Sequence, residues 1–376
     1  MIHLLIVIAG AVSFVDQLAE ISDLERLIRN VESNEKIYQN IEVVGEMKFE
    51  SFMKEKSVRN NHIRSIDKTF RSILQDPYIY SDNIGSAVLF SGERMVLDTF
   101  EAYDGEKTRL SENNTFGNII EGKSDIGLVI RPHCVLLYES RVFFPLSELL
   151  RAIPELNNRN TWQKKQVESQ YLGSEKIDDY QCRKIRLLIW NKEFGKDSAT
   201  RIDLWFASDY NEIPIYSEGY LKFDGKYLIV EKDKVDTMKE IEPGIWFPMK
   251  YSRTVFTYPE GVPRDGRIPD PSSSTVCKIT KVSLHPKYDK QFFTNIKMPK
   301  GAPVFEVKDK KIINSHREGL SNTKERRGSN HRLLIPSITI VGGLLLFLST
   351  YVIVKVKRRS AIVLNVQEKD RQDLKS

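Results

Sequence analysis

The chain has 376 residues, with 57 Lys and Arg against 51 Asp and Glu, 40% hydrophobic and 29% charged residues, and three cysteines. This is the composition of a globular chain of one large or two modest domains, which excludes collagen, a coiled coil and wholesale disorder. Cys134, Cys182 and Cys277 are too few for a dense disulfide framework and form no C-x-x-C pair, which excludes a zinc ribbon.

The basic excess is local. From Lys355 onward there are seven Lys and Arg against three Asp and Glu, leaving 50 against 48 over the first 354 residues. A nucleic-acid binder concentrates its positive charge on the folded domain, so no nucleic-acid partner is expected.

The first element in the chain is an apolar run, LLIVIAGAVSFV, within residues 1–15. It is shorter than the roughly 20 apolar residues of a membrane span and has the length of a signal-peptide core, with small-residue cleavage positions at Ala9-Gly10-Ala11 and Ala11-Val12-Ser13. No Lys or Arg precedes it, and no lipobox cysteine follows. An amphipathic helix comes next, with Leu24, Leu27, Ile28 and Val31 at i, i+3, i+4 and i+7 spacing.

The period then changes to two. IEVVGEMKFE, HIRSIDKTFRSI, GERMVLDTFEAYDGEKTRL and CVLLYESRVFF read as strands, followed by a short helix in PLSELLRAI with proline at its start. Strands resume at KIRLLIW, TRIDLWFA, IPIYSEGYLKFDGKYLIVEK, IWFPMKYSRTVF and VCKITKVSL, with hairpin signals at YDGE and FDGK. Residues 20–306 are therefore expected to form one sheet-rich domain. The polar segment 307–332 is expected to be a flexible stalk.

Residues 333–354, LLIPSITIVGGLLLFLSTYVIV, are uncharged and would reach about 33 Å as a helix, enough for one membrane span. Residues 355–376 form a short basic tail. Lys and Arg flank the span on both sides, so the N-terminal segment decides the orientation. An export signal places the large domain outside the cytoplasm, in the periplasm of a double-membraned cell. Without one, the same chain is tail-anchored in the cytosol.

Two hairpin phrases, YLGSEKIDDYQCRKIRLLIW and RIDLWFASDYNEIPIYSE, together with the opening helix, VVGEMKFE and EIEPGIWFPMKY, resemble the outer-membrane lipoprotein-sorting (Lol-type) carrier superfamily and related periplasmic sensor domains. The resemblance covers about residues 20–290. Asp179 stands at the expected hairpin glycine and Ala207-Ser208-Asp209 at an expected Asp-Pro, and a C-terminal span is foreign to a soluble shuttle.

The resemblance implies an α+β fold, a strongly curved antiparallel sheet (a half-open barrel) under a helical lid. Its concave apolar face would hold an acyl chain. Phe49, Leu97, Leu188, Trp190, Leu204, Phe206 and Trp246 are the candidate cavity-lining residues, with Tyr227 beside them; the alternative is that they fill an ordinary sheet core. Trp205 alternates with Leu204 and Phe206, so only one side of that trio faces any cavity.

No nucleophile-elbow, zincin, phosphate-loop or dinucleotide motif is present, and the histidines are scattered. His133-Cys134 reads as a packed strand-start pair rather than a thiol site, and Asp178-Asp179 as a hairpin turn. Cys182 and Cys277 either pair across neighbouring strands or stay free. The expected function is non-enzymatic and cofactor-free, with no metal site: a membrane-anchored, single-pass extracytoplasmic domain that binds a lipid or an acylated protein. The alternatives are an envelope sensor that binds a protein partner and an enzyme with an unrecognised site.

Overall fold

In the computed structural model the described residues are 22–53, 62–113, 115–122, 130–140, 145–151, 165–258, 267–296, 298, 300–308 and 311–318. The apolar segments 1–15 and 333–354, most of the stalk and the basic tail lie outside them. No helix among the described residues is long and apolar enough to cross a membrane.

The helix expected from the Leu24–Val31 spacing forms over residues 22–35 (α1) and buries Leu27, Ile28 and Val31. Its last turn tightens into a 3₁₀ turn, Lys36–Tyr38. Six strands follow: β1 (Asn40–Ser51), β2 (Ile63–Gln75), β3 (Tyr78–Leu89), β4 (Arg94–Tyr103), β5 (Lys107–Glu112) and β6 (Phe116–Glu121). A 3₁₀ segment, Pro132–Ser140, and the short helix α2 (Leu146–Leu150) interrupt the sheet. It resumes with β7 (Lys165–Ile177), β8 (Tyr180–Asn191), β9 (Thr200–Ala207), β10 (Ile213–Phe223), β11 (Lys226–Glu242), β12 (Ile245–Phe256) and β13 (Pro271–Leu284). After α3 (Lys290–Thr294) come β14 (Pro303–Lys308) and β15 (Lys311–Arg317).

These strands form one curved, unclosed sheet in the order β15-β14-β6-β5-β4-β3-β2-β1-β13-β12-β11-β10-β9-β8-β7. The long-range junction β1–β13 joins the two halves, with Met47 opposite Cys277. The hairpin signals close as read: Asp224 and Gly225 both take positive φ (49° and 80°) between β10 and β11, the primed turn that matches strand twist.

Three expectations need correction. The sheet is not wholly antiparallel, because β14 pairs in parallel with β6. The segment expected as a stalk from residue 307 is strand over 307–308 and 311–317, and the β14–β15 hairpin is closed by Gly301 N–H donating to the Glu318 carbonyl (2.8 Å) and Glu318 N–H to the Ala302 carbonyl (3.0 Å). The remainder of CVLLYESRVFF lies outside the described residues; the described part, through Ser140, is 3₁₀-helical and not a strand. Its apolar side chains divide between two buried clusters, with Cys134 and Leu137 in one and Val135 and Leu136 in the other, so no single strand face suits it.

Candidate functional site: the helix-covered face

Alternation along each strand sorts the side chains onto two faces. In the β8–β9 ladder Ile185 lies opposite Leu204 and Leu187 opposite Ile202, and these face α1 and α2. Together with Leu27, Val31, Leu146 and Leu149 they form a closed apolar cluster. A second cluster covers the middle of the sheet. There Val135 and Leu136 of the 3₁₀ segment, with Ile130, pack on Val43, Phe70, Val235 and Ile279. Three short helical segments, not a second sheet, thus cover this face.

A few polar contacts tether the cover. Glu35 at the end of α1 accepts from the Leu146 N–H (2.5 Å), and Arg151 pairs with Glu32 (2.6 Å). Asn30 of α1 and Arg183 of β8 both donate to the Glu212 Oε1. Burial pushes the Glu212 carboxyl above its ordinary value despite Arg183, and its Oε2 has no hydrogen-bond partner among the described residues.

His133 is fully buried and donates through Nε2 to the Asn211 carbonyl (2.9 Å), which fixes the proton on that nitrogen. Tyr38 donates to the Trp246 carbonyl at 2.6 Å. The Arg253 guanidinium donates to the Leu136 carbonyl (3.3 Å) and pairs with Asp233 (2.7 Å), which also accepts from Ser217.

A cavity of about 40 Å³ remains where the 3₁₀ segment meets β1, β2, β12 and β13. It has room for about one or two waters, not for an acyl chain. Its wall includes Met47, Phe70, Ile130, Val135 and Cys277, and one partly buried lysine, Lys68. Lys68 Nζ donates to Asn83 Oδ1 (2.9 Å), and desolvation pushes the ammonium pKa down to about 8. Opposite Lys68 on β3 stands Gly85, and opposite Gly85 on β4 stands Leu97. A Cβ on Gly85 would lie 2.2 Å from the Asp67 carbonyl oxygen and 2.5 Å from the Lys68 Cα, so β2 and β3 approach closely only because glycine is there.

The seven candidate lining residues divide. Phe49 shares the face of Met47 and lies opposite Thr275, itself part of the cavity wall. Leu97 lies on the row of Lys68 and is buried. Leu204 and Phe206 are fully buried against the α1 and α2 cover, so they fill the first cluster. Leu188 and Trp190 have the opposite parity to Ile185 and Ile189 and point away from that cluster; Trp190 sits beside Lys196. Trp246 lies at the β11–β12 turn against Tyr210 (ring centroids 4.6 Å). Tyr227 flanks Arg201 on the same outer side as Asp203.

Lys68, Asn83 and the 130–137 cover escaped the sequence reading. The signal for Lys68 was present: in IRSIDKTFRSIL it occupies the same alternation phase as Ile66, Phe70 and Leu74.

Cys182 and Cys277 do not pair, and neither they nor Cys134 form a disulfide. Burial pushes the Cys134 thiol up to about 12 and so favours the protonated thiol, and burial also lowers the pKa of the neighbouring His133. Asp178 does sit in a tight turn, with φ at 51°. Among the described residues no group of His, Cys, Asp and Glu is arranged to hold a metal ion.

No protein-family model and no curated protein matches this chain. Among solved structures it is similar to a DUF1329 family protein from Desulfovibrio piger (13% identity, 72% of this chain and 96% of that one, TM-score 0.40). It is also similar to a putative outer membrane lipoprotein-sorting protein domain from Vibrio parahaemolyticus (11%, 72% and 96%, TM-score 0.37) and to the Mycobacterium tuberculosis lipoprotein LppX (14%, 71% and 98%, TM-score 0.25). The second of these bears the name of the superfamily that the hairpin phrases resemble. At such identities and scores the likeness reaches no further than a strand-rich architecture.

Proposed function

We propose that this chain is a non-enzymatic, membrane-anchored extracytoplasmic domain that binds the acyl moiety of a lipid or lipoprotein between its sheet and the helical cover. One observation carries the reading. The apolar face of the sheet is covered by short helical segments that are held by a handful of polar contacts; in this reading an acyl chain takes the place of their aliphatic side chains.

Displacing Val135 and Leu136 exposes Phe70, Val235 and Ile279, a surface that an acyl chain covers equally well. Each methylene buried there contributes about 0.8 kcal/mol, so lipid is retained without any catalytic group. The apolar run 333–354 supports a single anchoring span, and 1–15 supports export. The test is native mass spectrometry of the full chain extracted in a non-ionic detergent. A co-purifying mass that organic extraction identifies as lipid is expected. A bare mass, with no uptake when phospholipid and fatty acid are offered, would refute the reading.

A further inference from the structure

Lys68 lines the cavity against the cover, and its ammonium has a neutral partner. Lys68 Nζ gives one of its three donors to the Asn83 amide oxygen. No carboxylate pairs with it among the described residues. The other titratable groups of the wall are already engaged or neutral. Asp233 is held by Arg253 and Ser217, the Arg253 guanidinium is shared between Asp233 and Glu231, and burial keeps Cys277 a thiol, with its pKa pushed up to about 11.

The rest of the wall is mostly aliphatic and aromatic: Met47, Phe70, Ile130 and Val135. Beyond Lys68 the row continues over the bare backbone of Gly85 to buried Leu97. A charge in apolar surroundings is costly unless it is paired, and here the protein supplies only an amide.

We propose that Lys68 receives the anionic head group of a single-chain amphiphile, a carboxylate or a phosphate monoester, while its acyl chain takes the place of the Val135–Leu136 cover. This rests on the acyl-binding reading above and adds the class of head group. Two ammonium donors remain to meet the head-group oxygens as charge-assisted bonds, the strong kind. Desolvation lowers the lysine pKa to about 8, and an anion held against the ammonium would raise it again.

The test compares palmitate, methyl palmitate and palmitoyl lysophosphatidate on the full chain at fixed non-ionic detergent concentration. It uses the wild type, Lys68→Met and Lys68→Arg. In the wild type and in Lys68→Arg, at least one of the two anionic ligands is expected to bind about ten- to a hundredfold more tightly than the ester, as charge-assisted bonds predict. Whichever anion binds tighter identifies the head. In Lys68→Met the preference should collapse to about one, with ester affinity unchanged. Equal affinity for acids and ester in the wild type, or an undiminished preference in Lys68→Met, would overturn the head-group assignment and leave acyl binding standing. If no ligand binds any variant, both proposals fall together.

Discussion

The Glu35 carboxylate caps Ser147, accepting its backbone N–H at 3.2 Å and its hydroxyl at 2.5 Å. A residue in the last turn of α1 thus satisfies the orphan donors that begin α2, more than a hundred positions later in the chain. With Arg151 and Glu32 closing the other side, the two helices form one tethered plate over β7–β9.

Glu35→Ala is therefore expected to cost about 1–2 kcal/mol, the value of a lost helix cap. Hydrogen exchange should show protection falling in residues 22–35 and 146–151 together, with the β8 amides unchanged. Loosening of α2 alone would show that the plate does not move as a unit.

Asp203 is fully buried on the outer face and takes two bonds from Arg186 (2.9 and 3.0 Å) and two from Arg201, which stacks on Tyr220. Burial raises its carboxyl, but the two guanidinium groups outweigh it and hold the pKa below the ordinary carboxylate value. A depressed acid stabilises the fold above its unfolded pKa of about 3.9, and that stability disappears as pH falls through the lower folded value. Asp203→Asn should cost about 2–4 kcal/mol at neutral pH, because both cations lose their partner. In denaturant titrations across pH the difference from wild type should shrink in strong acid. A constant difference would mean the loss is steric.

His133 has the opposite role in the cover. Burial pushes its pKa below the usual imidazole value, against the raising influence of Glu35 and with Arg131 adding to the depression. Its Nδ1 has no hydrogen-bond partner among the described residues, and Tyr38 meets the ring edge-on. Stability from the neutral ring is present above about pH 6.5 and is lost as pH falls through the depressed value. The 3₁₀ segment should therefore exchange its amides faster in mild acid. His133→Gln, which cannot titrate, should abolish that acid-dependent increase. An identical pH profile in the variant would place the titrating group elsewhere.

Gly85→Ala should destabilise the chain by about 1–3 kcal/mol, because the added methyl meets β2 backbone rather than a side chain that can swing aside. Gly219→Ala is the matched control. Its added Cβ would meet only the Glu231 Cβ, at 3.2 Å, and its cost should be smaller. Thermal denaturation of the two variants side by side decides the point, and equal shifts would count against the close β2–β3 approach.

Much of the architecture was legible in the residues. Alternation in HIRSIDKTFRSI and TRIDLWFA marks β2 and β9, and Asp-Gly at 224–225 marks a primed turn because few other pairs accept positive φ twice. The run CVLLY was misread because a short apolar stretch has no period to separate strand from helix. The parallel β6–β14 pairing joins segments far apart in the chain, and nothing local announces it.

The site was half legible for a related reason. Alternation says that Leu188 and Leu204 lie on opposite faces once β8 and β9 are in register, but only the packing of α1 and α2 says which face is covered. Choosing residues by size alone therefore mixed the two faces and passed over Lys68, whose place in an apolar phase was its signature.

The β14–β15 hairpin also gives the sheet a mechanical polarity. Tension arriving along the chain from beyond Glu318 meets the Glu318–Ala302 and Gly301–Glu318 bonds first, then loads the β15 ladder one rung at a time. Such peeling is the weak direction of a sheet, whereas β1 and β13 lie between bonded neighbours on both sides. A pull on the C-terminal segment would strip the edge hairpin and spare the strands beneath the cover.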